Sequence, residues 1–314
     1  MMHKFITIPE IIYYKAFAKI KRIEGCFYKH KTIDQTKRIV LYLDYPKFIH
    51  LGDTLWFEPI ARMLAAHADL AVCCNPQMGF YFRRLGYTVI DKSSVRTGDL
   101  LVARTELAHP LRGKDVIWVN FNFSRITRPV INKVINDVSA CFGVPAGEAK
   151  PRAIEISPQE QNRVAEKFNL DPESDYAVFN NYIDSHKLGM SHRDRLKAES
   201  ALLRFAGKFK NDSGVKLLHA ATKADQAKDT RHYDFVDLDL RGLTSIEECF
   251  VLASLDNVVK YAGFDTFWLH LFNLYNKASY IMIRPGFSET LKRQIKNYVA
   301  VPYEAESGKV NFIN

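Results

Sequence analysis

Two strand-to-helix turns in this chain carry groups able to move a proton or hold an anion. The first is "HLGDTL", His50–Leu55, where Asp53 directly follows a glycine. The second is "YAGFDTFWLHLF", Tyr261–Phe272, where Asp265 and Thr266 are followed by His270, four residues after Thr266. A carboxylate at such a turn can act as general base on a hydroxyl nucleophile. Asp and Thr are also preferred helix N-caps, and for either turn taken alone capping is a sufficient explanation. Thr266 and His270 share one side of a helix's opening turns. The free N–H groups and partial positive charge at such an end suit a diphosphate, and His270 adds a donor. The competing role for that imidazole is packing among Trp268, Leu269, Leu271 and Phe272.

Such turns need a buried strand before them and a helix after them, and the chain supplies both repeatedly. Periodicity predicts a strand over 38–43 and a helix over 54–66, so that Asp53 stands at the helix start. A strand at 70–74, a helix at 77–85, short strands near 87–90, 100–103 and 116–120, and a helix from about 129 to 141 follow. The segment "GVPAGEAKPRAIEISP" from Gly143 to Pro158 reads as a linker. Beyond it the alternation restarts, with strands predicted near 176–180, 215–220, 235–238, 257–262 and 279–283. Helices are predicted at 159–168, 193–209, 245–255, from 266, and at 289–298. Alternation of this kind predicts an α/β fold of two Rossmann-like domains, 38–148 and 149–314, facing a cleft. A basic amphipathic leader, residues 1–37, precedes them.

Composition narrows the chemistry. The 314 residues are 47% hydrophobic and 12% aromatic, enough for a sizeable core. No run of 18 apolar residues occurs, and Lys4, Glu10, Lys15 and Lys19 interrupt any signal-peptide core, which predicts a cytoplasmic protein. The five cysteines show no C-x-x-C spacing and the histidines no H-E-x-x-H pair, so neither a metal nor another cofactor is expected. The phosphate-binding glycine motifs of dinucleotide and P-loop enzymes are missing, as is the G-x-S-x-G elbow of hydrolases. Asp237-Leu238-Asp239 spells the D-x-D of metal-dependent sugar transferases, but on a short late strand it reads as a solvated edge. Of the net charge of +9, residues 1–38 hold nine Lys/Arg against three Asp/Glu. Interleaved with Ile11, Ile12, Phe17 and Ile20, these cations suit an anionic lipid surface or a solvated helix; no nucleic-acid motif accompanies them.

Taken in order, the motifs resemble those of the lipopolysaccharide heptosyltransferase family, glycosyltransferase family 9, whose fold is GT-B. That family opens with a strand, a loop ending in Gly-Asp and a helix, matched here by Arg38–Leu43, Gly52-Asp53 and the helix after them. Its second domain carries D-[TS]-G-x-x-H, matched by Asp265-Thr266-Phe267-Trp268-Leu269-His270 with phenylalanine in place of the glycine. The resemblance runs from about Arg38 to Tyr298. It implies that Asp53 is the general base, and that Asp265, Thr266 and His270 hold a nucleotide-sugar donor together with a lysine, best matched by Lys187 and less well by Arg193. The family's tryptophan-proline after that lysine is Leu188-Gly189-Met190 here, and Asp225 is a loose match to its nucleotide-contacting acid. The expected activity is inverting, metal-independent sugar transfer to an anionic glycolipid or other surface glycan at the inner membrane's cytoplasmic face. Arg83, Arg84, Arg112, Lys114, Arg125 and Arg128 are candidates for holding the acceptor. Two rivals stay open: another nucleotide-using cleft enzyme, such as an epimerase or pyruvyl transferase, and a noncatalytic partner in glycan assembly.

Overall fold

The computed structural model describes residues 38–42, 51–55, 57–90, 108–110, 116–120, 135–136, 139, 143–182, 192–227, 229–264, 266–282 and 310–313. The chain divides into two compact units, Met1–Pro151 and Arg152–Asn314. The leader, the strand expected near 100–103 and the helix expected over 289–298 lie outside the described residues.

The first unit is built on a five-stranded sheet. Its strands are β1 (Arg38–Tyr42), β2 (Leu70–Cys73), β3 (Thr88–Val89), β4 (Ala108–Pro110) and β5 (Val116–Asn120), in the order β3-β2-β1-β5-β4. All pairings are parallel except β4 with β5, an antiparallel edge that the sequence pattern did not signal. Ile39 and Leu41 of β1 and Ala71, Val72 and Cys73 of β2 are fully buried. Strands covered on both faces by helices read as such unbroken apolar runs.

Between β1 and β2 the structure corrects the reading of the first turn. The single helix expected over 54–66 is two helices, α1 (Leu51–Leu55) and α2 (Glu58–Ala65). Asp53 is therefore the third residue of α1 and does not cap a helix beginning at Thr54. The break has a local cause. Proline lacks the N–H and fixes φ for a helix's opening turn, so Pro59 starts a new helix instead of continuing the old one. Phe57 bridges the two, its N–H donating to the Thr54 carbonyl at 3.2 Å. After β2, a 3-10 turn at Pro76–Met78 leads into α3 (Gly79–Arg84).

The second unit carries a six-stranded, all-parallel sheet. Chain order runs α4 (Pro158–Lys167), β6 (Tyr176–Asn180), α5 (His192–Ser213), β7 (Lys216–His219), α6 (Lys223–Gln226) and β8 (Leu238–Asp239). It continues through α7 (Ile246–Ser254), β9 (Val258–Gly263), α8 (Phe267–Leu274), β10 (Ala278–Met282) and β11 (Val310–Ile313). The strand order β11-β10-β9-β6-β7-β8 is the doubly wound Rossmann order. Two successive strands lie on one side of β6 and three on the other, so the winding reverses between β6 and β9. Local chemistry starts the helices: Ser157 with Glu160, Thr222 with Asp225, and Ser245 with Glu248 form capping boxes. The long helix α5 buries Ala198, Leu202, Ala206 and Phe209 against Ala177, Phe179 and Leu217 of the sheet. Among the described residues no helix is long and apolar enough to cross a membrane.

Candidate functional site

In a doubly wound sheet, ligands bind outside the carboxyl ends of the strands where the winding reverses. Here that point lies between the ends of β6 and β9, where Asn180 pairs with Gly263. A Cβ on Gly263 would stand 2.4 Å from the Tyr261 hydroxyl and 2.5 Å from the Asn180 carbonyl oxygen. Only glycine permits that approach. The Asn180 side chain, 5% exposed, donates to the Ala220 carbonyl at 2.6 Å and accepts from the Tyr182 N–H at 3.2 Å. The ends of β6 and β7 are thereby tied together.

The chain leaves β9 through Phe264 and enters α8 with Thr266 as its N-cap residue. Thr266 makes no side-chain cap bond. Its hydroxyl lies 2.9 Å from the Tyr261 hydroxyl, which itself donates to the Phe264 carbonyl at 2.6 Å. A phenol has a single proton to give, so Thr266 is the donor to Tyr261 and keeps only lone pairs for anything outside. This alters the role read from the sequence: Thr266 shapes the turn, and the donors left for an anion are the backbone N–H groups opening α8. His270, one turn on, is 8% exposed among the apolar residues of α8. Phe267, which stands where the resembling family has glycine, packs its ring on Phe250 of α7 at 5.9 Å between centroids. Asp265 and Lys187 lie outside the described residues, as do Arg112, Lys114, Arg125 and Arg128.

The other nominated residues divide sharply. Arg83 and Arg84 occupy the last turn of α3 and are exposed. Asp53 sits in α1; its side chain is outside the described residues. Asp225 accepts from the Thr222 hydroxyl at 2.6 Å on Oδ2 as half of a capping box. Asp237 accepts from Lys210 at 2.8 Å and from the Leu217 N–H at 2.8 Å. Asp239 accepts from Arg241 Nη2 at 2.6 Å. The D-x-D pair is thus spent on structural contacts, and among the described residues no group of His, Cys, Asp and Glu is arranged to hold a metal.

Sequence reading missed a polar network at the ends of β6, β7 and β8. Asn181, next after β6, places its amide oxygen 2.8 Å from His219 Nε2 and its amide nitrogen 3.0 Å from Asp229. The amide nitrogen faces a carboxylate, so the amide oxygen accepts and His219 carries its proton on Nε2. Burial, helped by the Arg241 guanidinium, pushes His219 down to about 4, which keeps the ring neutral. Asp229 also accepts from Tyr233 at 2.8 Å and from Arg231 Nε at 2.8 Å. Burial pushes Asp229 up, but the hydrogen bonds from Arg231, Tyr233 and Asn181 outweigh it and hold the carboxyl below its ordinary range. Arg231 reaches Glu199 on α5 as well, and Arg241 donates to the Arg231 carbonyl at 2.9 Å. Two signals pointed to this network. One is the polar pair Asn180-Asn181 closing an apolar strand; the other is the alternation of Asp229, Arg231 and Tyr233 in a stretch with no helical period.

The first unit holds a comparable feature at the start of α2. Glu58, opening α2, is fully buried and accepts from the Tyr87 hydroxyl at 3.0 Å. A carboxylate in a helix's first turn is stabilised by the helix dipole, and here the tyrosine replaces part of its lost hydration.

With this geometry established, comparison with solved structures defines the fold. The chain is similar to the Escherichia coli ADP-heptose lipopolysaccharide heptosyltransferase II, at TM-score 0.55 and 13% identity, over 88% of this chain and 90% of that one. It is also similar to a family 9 glycosyl transferase from Veillonella parvula, at TM-score 0.58 and 14% identity, over 87% and 96%. No protein-family model and no curated protein sequence matches the chain. The fold is therefore that of the GT-B-like glycosyltransferases, an α/β architecture with one parallel sheet and one parallel but for an edge strand, and it agrees with the resemblance carried by the turn motifs.

Proposed function

We propose that this protein is an inverting, metal-independent glycosyltransferase that moves a sugar from a nucleotide-sugar donor to a lipopolysaccharide or related surface glycan. The observation that carries the reading is the position of the Thr266–His270 turn. The helix it opens, α8, begins at the reversal point of a Rossmann-ordered sheet in a chain whose fold matches an ADP-heptose-using transferase. The N–H groups opening α8 receive the donor diphosphate, with His270 one turn deeper and Asp265 and Lys187 completing the donor set. Asp53 removes the proton from the acceptor hydroxyl as that oxygen attacks the anomeric carbon. The bond to the diphosphate breaks with its electron pair, and the leaving charge is met by helix N–H groups and cations. Structural use of Asp237 and Asp239 supports a reaction without metal at that pair. The acceptor lies along the first unit, with Arg83, Arg84, Arg125 and Arg128 meeting its anionic groups. The basic leader holds the enzyme on the cytoplasmic face of the inner membrane.

One observation favours the noncatalytic reading: Asp225, the loose match to a nucleotide-contacting acid, engages one carboxylate oxygen in its own helix's capping box. A thermal-shift screen across ADP-, UDP-, GDP- and CMP-sugars separates the two. Saturation with the right donor at about 100 times its dissociation constant adds about 2.7 kcal/mol of stability. Turnover that persists in EDTA, together with donor binding lost in His270→Ala, is expected of the transferase. A protein stabilised by none of these donors is not one.

A further inference from the structure

The long helix α5 has one face fully explained by packing and another that is not. Opposite the buried stripe of Ala198, Leu202, Ala206 and Phe209, it presents Arg193, Lys197 and Arg204, all exposed. Leu196, 43% exposed, lies beside them, and with Ser200 they line an open groove of about 480 Å³. The placement of these cations works against the helix. Arg193 stands in the first turn, where the dipole disfavours positive charge, and Arg193 and Lys197 are like charges at i and i+4. Of the described acids of α5, Glu199 is committed to Arg231 and Asp212 lies 3.9 Å from Lys208, while the Asp194 side chain is outside the described residues. Cations set against local helix electrostatics around an exposed leucine point to something outside the helix.

We infer that this face of α5 docks on an anionic bilayer. The extent of the patch decides against a small ligand. From Arg193 to Arg204 the helix advances about 16 Å, at about 1.5 Å per residue, which is far longer than a diphosphate. The leucine decides against a soluble polyanion, because an exposed apolar side chain flanked by cations gains from the headgroup boundary and not from a hydrated chain. Each cation near an anionic leaflet strengthens association by about fivefold, so the three together contribute about 10²-fold. Apart from Arg193, the weaker match to the family's donor lysine, this surface shares no residue with the donor-site reading, and its failure leaves that reading intact.

The test uses the full chain with vesicles of phosphatidylcholine alone and of phosphatidylcholine mixed equally with phosphatidylglycerol. Glutamine keeps helix propensity close to that of Lys and Arg, so Arg193→Gln/Lys197→Gln/Arg204→Gln retains the helix. Its partition onto the mixed vesicles is expected to fall by about 10²-fold, with its circular dichroism unchanged. Leu196→Trp gives a local readout: brominated lipid should quench the added fluorescence on mixed vesicles and not on neutral ones. Partition of the triple variant within twofold of the native chain, or no quenching at position 196, overturns the proposal. Loss of tripolyphosphate binding in Lys197→Gln/Arg204→Gln, which leaves Arg193 in place, with vesicle partition unchanged assigns the face to a soluble polyanion and overturns it equally.

Discussion

Gly263 on β9 lies so close to Asn180 on β6 that a Cβ would stand 2.5 Å from the Asn180 carbonyl oxygen. The contact sits where the sheet reverses its winding, so it sets the spacing of the two strand ends that frame the turn into α8. Gly263→Ala must push apart backbone or the Tyr261 phenol. The expected cost is about 1–3 kcal/mol of stability, the range for overpacking a tight core site. Donor binding should weaken further, since the displaced strand end carries the turn. A variant as stable as the native chain in urea titration contradicts this account.

The Tyr261 hydroxyl links the Phe264 carbonyl to Thr266, and Tyr261→Phe removes that link. A loss of about 1–2 kcal/mol is expected for the buried acceptor left without its donor. Because Thr266 then regains a proton to donate, its hydroxyl becomes available to a diphosphate. Isothermal titration with the donor found in the nucleotide screen should show altered affinity in Tyr261→Phe beyond what the stability change explains. In Thr266→Val it should show little change, since the native hydroxyl offers no proton outward.

Asp53→Asn tests the proposed base. Asn is nearly isosteric with Asp, so the backbone of α1 should be retained. Turnover is expected to fall on the order of 10²-fold or more while donor affinity holds. Near-normal turnover would leave Asp53 as a residue of α1 with no part in proton transfer.

His219 links stability to pH. Its native value of about 4 lies below the ordinary 6.5, so below pH 6.5 the unfolded chain takes up a proton that the folded chain refuses. Stability therefore falls as pH drops from about 6.5 to about 4 and levels off below, a total on the order of 3 kcal/mol from this group. Asp229 acts in the same direction at lower pH: below 3.8 the unfolded chain's carboxyl binds a proton that the folded carboxyl, held lower by its hydrogen bonds, still refuses. His219→Gln should flatten the slope between pH 6.5 and 4 in chemical denaturation and leave the lower step in place. An unchanged slope would exclude His219 as its source.

Much of this protein is determined by local sequence. The strand Val116–Asn120 and the strand Tyr176–Asn180 were legible as short apolar runs, and helices were predicted at 159–168 and 245–255, where the structure has Pro158–Lys167 and Ile246–Ser254. Each depends on side chains within a few residues of one another, which is the range over which periodicity and capping act. The turn from Tyr261 to His270 was legible for the same reason, and so was the doubly wound class of fold.

Only the tertiary structure decided what the polar groups do. Asp237 read as half of a D-x-D pair, but its use depends on Lys210 and the Leu217 N–H, 27 and 20 residues away. His219 gave no local signal at all; its neutrality follows from burial beside Arg241 and its tautomer from Asn181, 38 residues distant. Gly263 read as an ordinary strand end until the pairing of β9 with β6 brought the Asn180 carbonyl against it. Hydrogen-bond direction and desolvation are properties of what surrounds a group, and the surroundings exist only after the strands have paired.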